Sequence, residues 1–166
     1  MSVRQRYIDF MNWFSMTKPG SAFARTVVAR LDPVLYKLSG GKLTSVGPPV
    51  IPMIVLTTTG RKSGKPRSVQ LGFIRDPEAT SRATADLYTV ASNFGQQHHP
   101  AWSYNLQAHP ECEVNLDGEV FQAKAERLSE EEKARVWPKL VDAVPQYAVY
   151  VTRTSRDIGV WRLRRT

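Results

Sequence analysis

A succession of short β-rich runs joined by tight turns constrains the fold of this 166-residue chain more than any other feature. Each run is rich in β-branched or alternating apolar residues, which is typical of strands. Between two of the later runs, Asp117-Gly118 is a strong hairpin signal. The sequence therefore predicts about six mainly antiparallel strands. They lie at 50–59, 68–75, 87–92, 113–116, 119–125 and 159–164.

Helical patterns are concentrated before the first predicted strand. Tyr7, Phe10, Met11 and Phe14 are spaced i, i+3, i+4 and i+7, which predicts an amphipathic helix that ends at 18–20, a Lys-Pro-Gly sequence. A second helix is expected to begin near Ser21 and to end at 39–41, a Ser-Gly-Gly sequence. Pro33 is expected to bend or divide that helix.

Two further helices are predicted among the strands, at 100–108 and at 129–141, where Ser129 and Glu132 form a capping box. Helices and strands do not alternate as they do in a doubly wound protein. We therefore predict an α+β protein built on a small antiparallel barrel. We expect one domain, 1–166, in which 1–45 is a helical N-terminal extension.

Composition limits the function classes and the cellular location. The 23 Lys and Arg residues exceed the 15 Asp and Glu residues, and the net charge of +8 favours anionic partners. Cys112 is the only cysteine, so an intramolecular disulfide is excluded, and the Cys/His spacing of a structural zinc site is absent. No apolar run reaches about 18 residues, and no dinucleotide or Walker motif is present. We expect a cytoplasmic protein without a metal.

The segment 57–67 contains four cations, two glycines and several hydroxyl groups within one predicted hairpin. Backbone amides and hydroxyls in such a turn bind anions, and arginine binds phosphate oxygens in a bidentate manner. Runs of charge are also common on solvated surfaces. From composition alone, a phosphate site and a solvated basic turn are equally supported.

Two motifs make the chain resemble the deazaflavin-dependent nitroreductases. They are Leu-Thr-Thr-Thr-Gly-Arg-Lys-Ser-Gly-x-Pro-Arg at 56–67 and Pro-x-Trp-x-x-Asn-Leu-x-Ala-x-Pro at 100–110. The resemblance covers most of the chain and implies a split β-barrel related to the FMN-binding barrels. It also implies coenzyme F420 as the cofactor, with FMN as the alternative.

The resemblance implies a set of cofactor contacts in four segments of the chain. The basic turn is expected to bind the phosphate and the glutamate tail, and the other segments are expected to address the ring. For Trp102, packing is the expected main role, whereas Asn105 is expected to be functional. The implied contacts are Arg61, Lys62, Ser63, Arg67, Ser68, Val69, Gln70, Leu71, Gly72, Val90, Ala91, Ser92, Asn93, Ala101, Trp102, Ser103, Tyr104, Asn105 and Tyr147.

Tyr147, Tyr150 and Ser92 are the catalytic candidates that the resemblance implies, although we do not expect Ser92 to be a nucleophile. In the implied reaction, hydride passes from C5 of the reduced deazaflavin to an electron-poor acceptor. Tyr147, or a water that it orients, then stabilises or protonates the developing anion. His98 and His99 are interpreted as loop residues without a third metal ligand.

Cys112, which has no histidine or basic cluster nearby in the sequence, is interpreted as buried filler.

The acceptor is expected to be an electron-poor compound such as a quinone, a conjugated enone or a nitro compound, with quinones and enones as the leading candidates. Reduction of nitroimidazoles is expected to be weaker, because the sequence departs from the nitroimidazole-reducing type. Gly72 replaces an aromatic residue, Val144 replaces a tyrosine, and 93–95 is Asn-Phe-Gly rather than Lys-Gly-Gly. The small Gly72 is expected to open the pocket to bulkier acceptors. The alternative function is a non-catalytic carrier of F420, a flavin or a lipid.

The N-terminal helix is unusually aromatic, with Trp13 beside Phe14 and Phe10. It either packs on the barrel or on a second copy in a homodimer, or it lies on a membrane surface as a peripheral anchor. Nucleic-acid binding explains the charge but leaves the motif at 100–110 without a role. We therefore expect a small-molecule acceptor and no nucleic-acid partner.

Overall fold

A computed structural model describes residues 2–81 and 83–166 and contains a closed barrel of six antiparallel strands. The strands are β1 (Met53–Thr59), β2 (Pro66–Arg75), β3 (Leu87–Val90), β4 (Glu111–Leu116), β5 (Glu119–Arg127) and β6 (Val160–Arg165). They follow one another around the barrel in the order β1-β2-β3-β6-β5-β4, and β1 closes it by pairing with β4. The prediction of six antiparallel strands in a split barrel is confirmed.

The first strand begins three residues later than predicted, at Met53 rather than at 50. Pro52 directly precedes it, and proline has no N–H to donate to a sheet ladder. The carbonyl of Pro52 nevertheless accepts a hydrogen bond from Phe73 N at 3.2 Å, just before the paired residues begin at Met53. The predicted turn at Asp117-Gly118 is confirmed, with positive φ at both residues.

Helices surround the barrel and precede it. They are α1 (Val3–Met16), α2 (Lys18–Phe23), α3 (Ala29–Leu38), α4 (Ala101–Ala108), α5 (Glu130–Ala143) and α6 (Gln146–Val151). α1 and α2 are nearly continuous and lead through a π-helical turn at Ala24–Val28 into α3, and a short 3₁₀ turn at Asn93–Gly95 follows β3. Helix α6 has no counterpart among the predicted elements.

Two expectations for the N-terminal helices are wrong, namely the start of the second helix and a division at Pro33, whereas a bend at Pro33 stays a prediction. The second helix begins at Lys18 rather than near Ser21, because Thr17 caps it and accepts a hydrogen bond from Gly20 N. Pro19 fits the first turn, where its missing N–H has no intrahelical partner to lose. Pro33 does not divide the helix but lies inside α3, and the departure from α geometry is the π-helical turn upstream.

The capping box of α5 is confirmed: the Ser129 side chain accepts from Glu132 N, and the Glu132 carboxylate accepts from Ser129 N. α3 ends at Leu38, one residue before the predicted Ser-Gly-Gly stop.

Two apolar clusters stabilise the barrel on its two sides. The first draws on all six strands and on α4, and it includes the edge-to-face pair of Trp102 and Trp161, whose ring centroids are 6.1 Å apart. The second packs α5 and α6 against β3 and β6. Adjacent residues Leu87 and Tyr88 belong to different clusters, as the two-residue period of a strand requires.

Cys112 belongs to the first cluster and is a free, buried thiol, so its interpretation as buried filler is confirmed. Burial raises the pKa of the Cys112 thiol to about 12. A thiol with so high a pKa carries very little thiolate near neutral pH and is a weak nucleophile.

The N-terminal helices are joined to the barrel and to α6 by polar contacts. The Tyr36 hydroxyl lies 2.8 Å from Met53 O and 2.9 Å from Asp117 Oδ1. Arg153, which follows α6, donates to Ser21 Oγ at 3.0 Å and to Met16 O. These contacts hold the helices beside the mouth of the large cavity described below.

Candidate active site

A cavity of about 920 Å³ lies between the barrel and the N-terminal helices. Its barrel wall, as we call it here, comprises the lining residues of the β1–β2 turn, of β2, of the segment 92–100 and of α4. Its helical wall comprises the lining residues of α1 to α3, and α6 contributes Gln146, Tyr147 and Tyr150 between the two walls. The size is in the range of pockets that enclose small molecules and cofactors.

The cavity brings together nearly all of the residues that the sequence indicates. Those that line it are Arg61, Lys62, Ser63, Arg67, Ser68, Val69, Gln70, Leu71, Gly72, Val90, Ser92, Asn93, Ala101, Trp102, Tyr104, Asn105, Tyr147 and Tyr150.

Two of the expected cofactor contacts do not line the cavity. Ala91 is 1% exposed, and its amide donates to Gly159 O while its carbonyl accepts from Arg156. Ser103 is 3% exposed, and its hydroxyl donates to Pro100 O at 2.8 Å. Both residues are therefore occupied by contacts inside the protein, and the structure does not bring them to the cavity with the other expected cofactor contacts.

The basic turn between β1 and β2 is shaped by two glycines. A side chain at Gly60 would meet Ser63 Oγ at 2.7 Å, and Gly64 has a φ of +64°. Gly60 N donates to Lys65 O at 2.9 Å, and Gly64 N donates to Gly60 O at 2.7 Å. This compact turn carries the cations of the segment on its exposed surface.

Three cations of the turn line the cavity: Arg61, Lys62 and Arg67. Within the described part of the chain, no carboxylate forms an ion pair with any of them or with Lys65, which lies outside the cavity lining. Such unpaired cations at a cavity mouth suit an anionic ligand. The geometry thus favours the phosphate interpretation over the solvated turn.

Asn105 joins the basic turn to α4. Its Oδ1 accepts from Arg61 N at 3.1 Å, and its Nδ2 donates to Thr58 Oγ1 at 2.9 Å. Asn105 and Thr58 are both buried, so these bonds are shielded from water. Asn105 therefore fixes the position of the turn relative to the helix.

Aromatic rings extend from the basic turn along the barrel wall. The Arg61 guanidinium lies 4.7 Å from the centroid of the Tyr104 ring, and the Tyr104 ring meets His99 edge-on at 5.8 Å. Trp102 is 6% exposed and packs on Trp161, which agrees with its expected packing role, although it also lines the cavity.

Gln70 supplies an unused hydrogen-bond donor beside the cavity. Its Nε2 is buried and has no hydrogen-bond partner within the structure as described. Gln70 lies on β2 opposite Val55 and lines the cavity. A buried donor without a partner costs free energy, so this amide is suited to a ligand that carries a carbonyl oxygen.

Tyr147 contacts the backbone of Gly72. Its hydroxyl donates to Gly72 O at 3.1 Å, and Thr89 Oγ1 donates to the same carbonyl at 2.8 Å. Burial and the neighbouring Tyr150 raise the pKa of Tyr147 above its ordinary value. The phenol is therefore neutral near physiological pH and is able to donate a hydrogen bond.

The expectation that Gly72 opens the pocket is wrong. A Cβ at this position would lie 3.0 Å from the Tyr147 hydroxyl and 3.0 Å from Val144 Cγ2. Tyr147 and Val144 already fill the space that the missing side chain leaves. Gly72 therefore permits the close approach of Tyr147 to the β2 backbone instead of enlarging the cavity.

Tyr150 and Ser92 lie nearby but differ in their surroundings. The Tyr150 ring meets Phe94 edge-on at 5.9 Å and lies 5.6 Å from the Arg153 guanidinium. Burial raises the pKa of Tyr150 to about 12. Ser92 lines the cavity, and its carbonyl accepts from Gly95 N and from Arg156.

The helical wall was missed at the sequence level. It is mostly apolar, and only the amphipathic period of α1 indicated that Met11 and Phe14 face a protein surface. Which surface they face depends on how the helices pack against the barrel. The wall comprises Met11, Phe14, Ser15, Gly20, Phe23, Ala24, Val28, Ala29 and Asp32.

Further residues that the sequence did not assign to the site come from loops and from α6. Gln146 donates to Asn12 Oδ1 and Ser15 Oγ and so links α6 to α1. His98 and His99, interpreted as loop residues, also line the cavity. Among the described residues, no group of three or more potential ligands is suited to a metal ion.

Comparison with known proteins identifies the family. Residues 26–164 match the sequence model of the F420H(2)-dependent quinone reductase family. The chain is 32% identical over 139 residues to an F420H(2)-dependent quinone reductase of Mycobacterium tuberculosis, a match that covers 82% of this chain and 89% of that protein.

Two solved structures resemble this chain in sequence and fold. An F420-H2 dependent reductase is 35% identical, with a TM-score of 0.59, over 68% of this chain and 94% of that one. A second structure, described as a domain-swapped dimer, is 34% identical with a TM-score of 0.60, over 79% of this chain and 93% of that one. The chain therefore belongs to the F420H(2)-dependent quinone reductase family, and the prediction of an oxidoreductase that depends on coenzyme F420 is confirmed.

Proposed function

We propose that this protein binds reduced coenzyme F420 against the barrel wall and reduces a quinone to the quinol beside Tyr147. One observation carries the proposal: a single cavity joins unpaired cations on the barrel wall to an apolar helical wall, with Tyr147 between them. The cations suit the phosphate and the carboxylates of the coenzyme. The apolar wall suits a lipophilic acceptor.

The residues of the barrel wall fit the coenzyme. Arg61, Lys62 and Arg67 hold no carboxylate partner among the described residues, so binding the phosphodiester and the glutamate tail does not break an existing ion pair. The unpartnered Gln70 amide offers a donor to a ring carbonyl. Three cations in the cavity lining suit a ligand with more negative groups than a single phosphate, which supports F420 over FMN, because FMN lacks the glutamate tail.

When bound, the reduced coenzyme supplies a hydride from C5 of its deazaflavin ring. Reduction of a quinone to the quinol consumes that hydride and one proton. Tyr147 is placed to stabilise the oxyanion that develops on the acceptor, because its neutral hydroxyl only has to turn from Gly72 O towards the cavity. Its raised pKa favours hydrogen-bond donation over loss of the proton, and we assign the proton to water.

Titration of coenzyme F420 and of FMN by fluorescence, at low and at moderate salt, tests the proposed cofactor. We expect F420 to bind more tightly than FMN and to lose affinity as salt rises, because exposed cations are screened. The reduced complex is then mixed anaerobically with menadione. Reoxidation that depends on menadione supports the reductase, whereas binding without reoxidation supports the carrier function instead.

The helical wall has an outer surface suited to a membrane. Exposed apolar side chains recur at three- and four-residue intervals from α2 to the end of α3, where Leu38 is 82% exposed. We call this set the apolar stripe; it comprises Phe23, Val27, Leu31, Val34, Leu35 and Leu38.

The stripe adjoins the cavity, because Phe23 belongs to both. Trp13 and Phe10 on α1 add two further exposed rings. The net charge of +8 favours an anionic membrane. A quinone dissolved in such a membrane then reaches the cavity at Phe23, and peripheral attachment thus fits the proposed substrate. In the described residues, no helix is long and apolar enough to cross a membrane.

Vesicle co-sedimentation separates membrane attachment from dimerisation. Replacing Val27, Leu31 and Leu38 together with serine is expected to reduce pelleting with phosphatidylglycerol vesicles about tenfold or more, because three exposed apolar side chains no longer insert. The control is Val120→Ser, an exposed valine on β5 outside the stripe. Unchanged pelleting, together with loss of a dimer in light scattering, would assign the stripe to a second copy of the chain.

A further inference from the structure

Arg156 binds the cavity-lining segment that follows β3. Its Nε donates to Gln96 O at 2.8 Å, and its Nη2 donates to Ala91 O at 2.9 Å and to Ser92 O at 2.6 Å. Its Nη1 lies 3.2 Å from His99 Nδ1. A single guanidinium thus contacts four points along residues 91–99, and neither the sequence motifs nor the reaction proposed above assigns it a role.

The segment held by Arg156 has an unusual backbone. Asn93, Phe94 and Gly95 have φ values of +46°, +57° and +75°. Non-glycine residues rarely adopt this region unless surrounding contacts impose it. Ser92, Asn93 and Phe94 line the cavity, as does His99 at the other end of the segment. Arg156 therefore holds this part of the cavity wall in a backbone conformation that its own residues do not favour.

The contact with Arg156 selects one tautomer of His99. A guanidinium group has donors only, so Nδ1 of His99 must accept, and the ring proton must lie on Nε2. The imidazole is then an N–H donor on the cavity wall. The Tyr104 ring contacts both His99 and the Arg61 guanidinium, so it links this histidine to the basic turn.

The charges around His99 support a neutral ring. Burial and the positive charges of Arg156 and Arg127 lower the pKa of His99, and only Asp157 acts in the opposite direction. Tyr104 faces the ring edge-on. A neutral imidazole is compatible with acceptance of a hydrogen bond from Arg156, whereas an imidazolium is not.

We propose that His99 binds an oxygen atom of the coenzyme through Nε2–H and that Arg156 is the positioning residue that fixes its tautomer and the segment around it. This inference rests on the proposed function, because the ligand is coenzyme F420. The donor adds a specific neutral contact to the charged contacts of the basic turn. We therefore expect it to contribute to affinity with little dependence on salt.

Two measurements test the inference. Nitrogen-15 NMR of the histidine-labelled full-length protein reads the tautomer directly, and we expect Nε2–H for His99 and a shift of its Nε2 resonance when F420 is added. Fluorescence titration is expected to give about tenfold weaker F420 binding for His99→Phe. His99→Gln, which keeps an N–H donor at a similar distance, is expected to recover most of the affinity.

The control is His109→Phe, an exposed histidine outside the cavity lining. Arg156→Lys is expected to change the His99 tautomer equilibrium even if the fold is retained, because an ammonium does not reproduce the guanidinium contacts. An Nδ1–H tautomer in the wild-type protein, or equal F420 affinity in His99→Phe, would overturn the inference. A wild-type protein that binds no F420 would overturn the proposed function as well.

Discussion

The two walls of the cavity differ in chemistry and in their relation to the sequence. The barrel wall carries cations and amides, and the residues of its basic turn and of α4 fall within two short motifs. The helical wall is mainly apolar, and its residues are scattered from Met11 to Asp32. Under the proposed function, binding of the coenzyme depends on a local turn, whereas the acceptor side is created only by packing of helices on the barrel.

The largest effect is expected from removing the charge of the barrel wall. The variant in which Arg61, Lys62 and Arg67 are all glutamine is expected to bind F420 about a hundredfold more weakly at low salt, because several charge-assisted hydrogen bonds are lost. The difference should shrink at high salt. Fluorescence titration measures both. Lys65→Gln is the control, since Lys65 lies in the same turn but outside the cavity lining.

Equal losses of F420 affinity in the triple variant and in Lys65→Gln would contradict a specific role of the barrel wall. A positive charge anywhere on the turn would then bind the coenzyme equally well.

Tyr147→Phe tests the proposed catalytic role of the tyrosine that lies between the two walls. We expect turnover with menadione to fall about a hundredfold, which is the usual size for loss of a positioned proton or hydrogen-bond donor. F420 affinity should change less than about threefold, because Tyr147 contacts Gly72 O and not the basic turn. Steady-state kinetics measures turnover, and fluorescence titration measures F420 affinity. Tyr150→Phe is the matched variant and is expected to lose less.

The pH dependence of turnover sharpens the same test. Burial raises the pKa of Tyr150 to about 12 and also raises that of Tyr147. Both phenols therefore stay protonated as the pH rises to 9, and loss of their protons begins only above the ordinary value of about 10. We expect no basic limb from these tyrosines in kcat below pH 9. Turnover that falls with an apparent pKa near 8 and becomes flat in Tyr147→Phe would contradict the raised pKa.

Asn105→Ala tests whether the barrel wall depends on its anchor to α4. The change leaves Arg61 N and Thr58 Oγ1 without their buried partner. We expect the free energy of unfolding to fall by about 2 kcal/mol, and F420 affinity to fall as the turn loosens. Urea unfolding and titration measure the two effects. Gln107→Ala, at an exposed position of the same helix, should leave both nearly unchanged.

The smallest effect is expected on the helical wall. Phe14→Ala removes an apolar ring from the cavity lining, and we expect KM for a lipophilic quinone to rise about fivefold through lost apolar contact. F420 affinity should stay the same. Phe10→Ala is the control, since its ring stacks on Phe14 but is 55% exposed and lies outside the lining. Weaker F420 binding by Phe14→Ala would contradict the assignment of the coenzyme to the barrel wall and of the acceptor to the helical wall.

Several features of the fold were predictable because they depend on neighbouring residues. Strands, the turn at Asp117-Gly118 and the capping box at Ser129 follow from local periodicity and hydrogen bonding. The start of α2 was mispredicted because Thr17 and Ser21 are both suitable caps, and only the structure selects Thr17. Helix α6 was missed because its six residues are too few for a periodic pattern.

The sequence by itself determined the basic turn, the second motif and, through them, the family and its coenzyme. Only the tertiary structure decided that Gly72 accommodates Tyr147, that Arg156 holds the segment 91–99, and that α1 to α3 close the cavity. The physical reason is the range of the interactions. Turns and caps depend on atoms a few residues apart, whereas the contact of Tyr147 with Gly72 joins residues 75 positions apart in the chain.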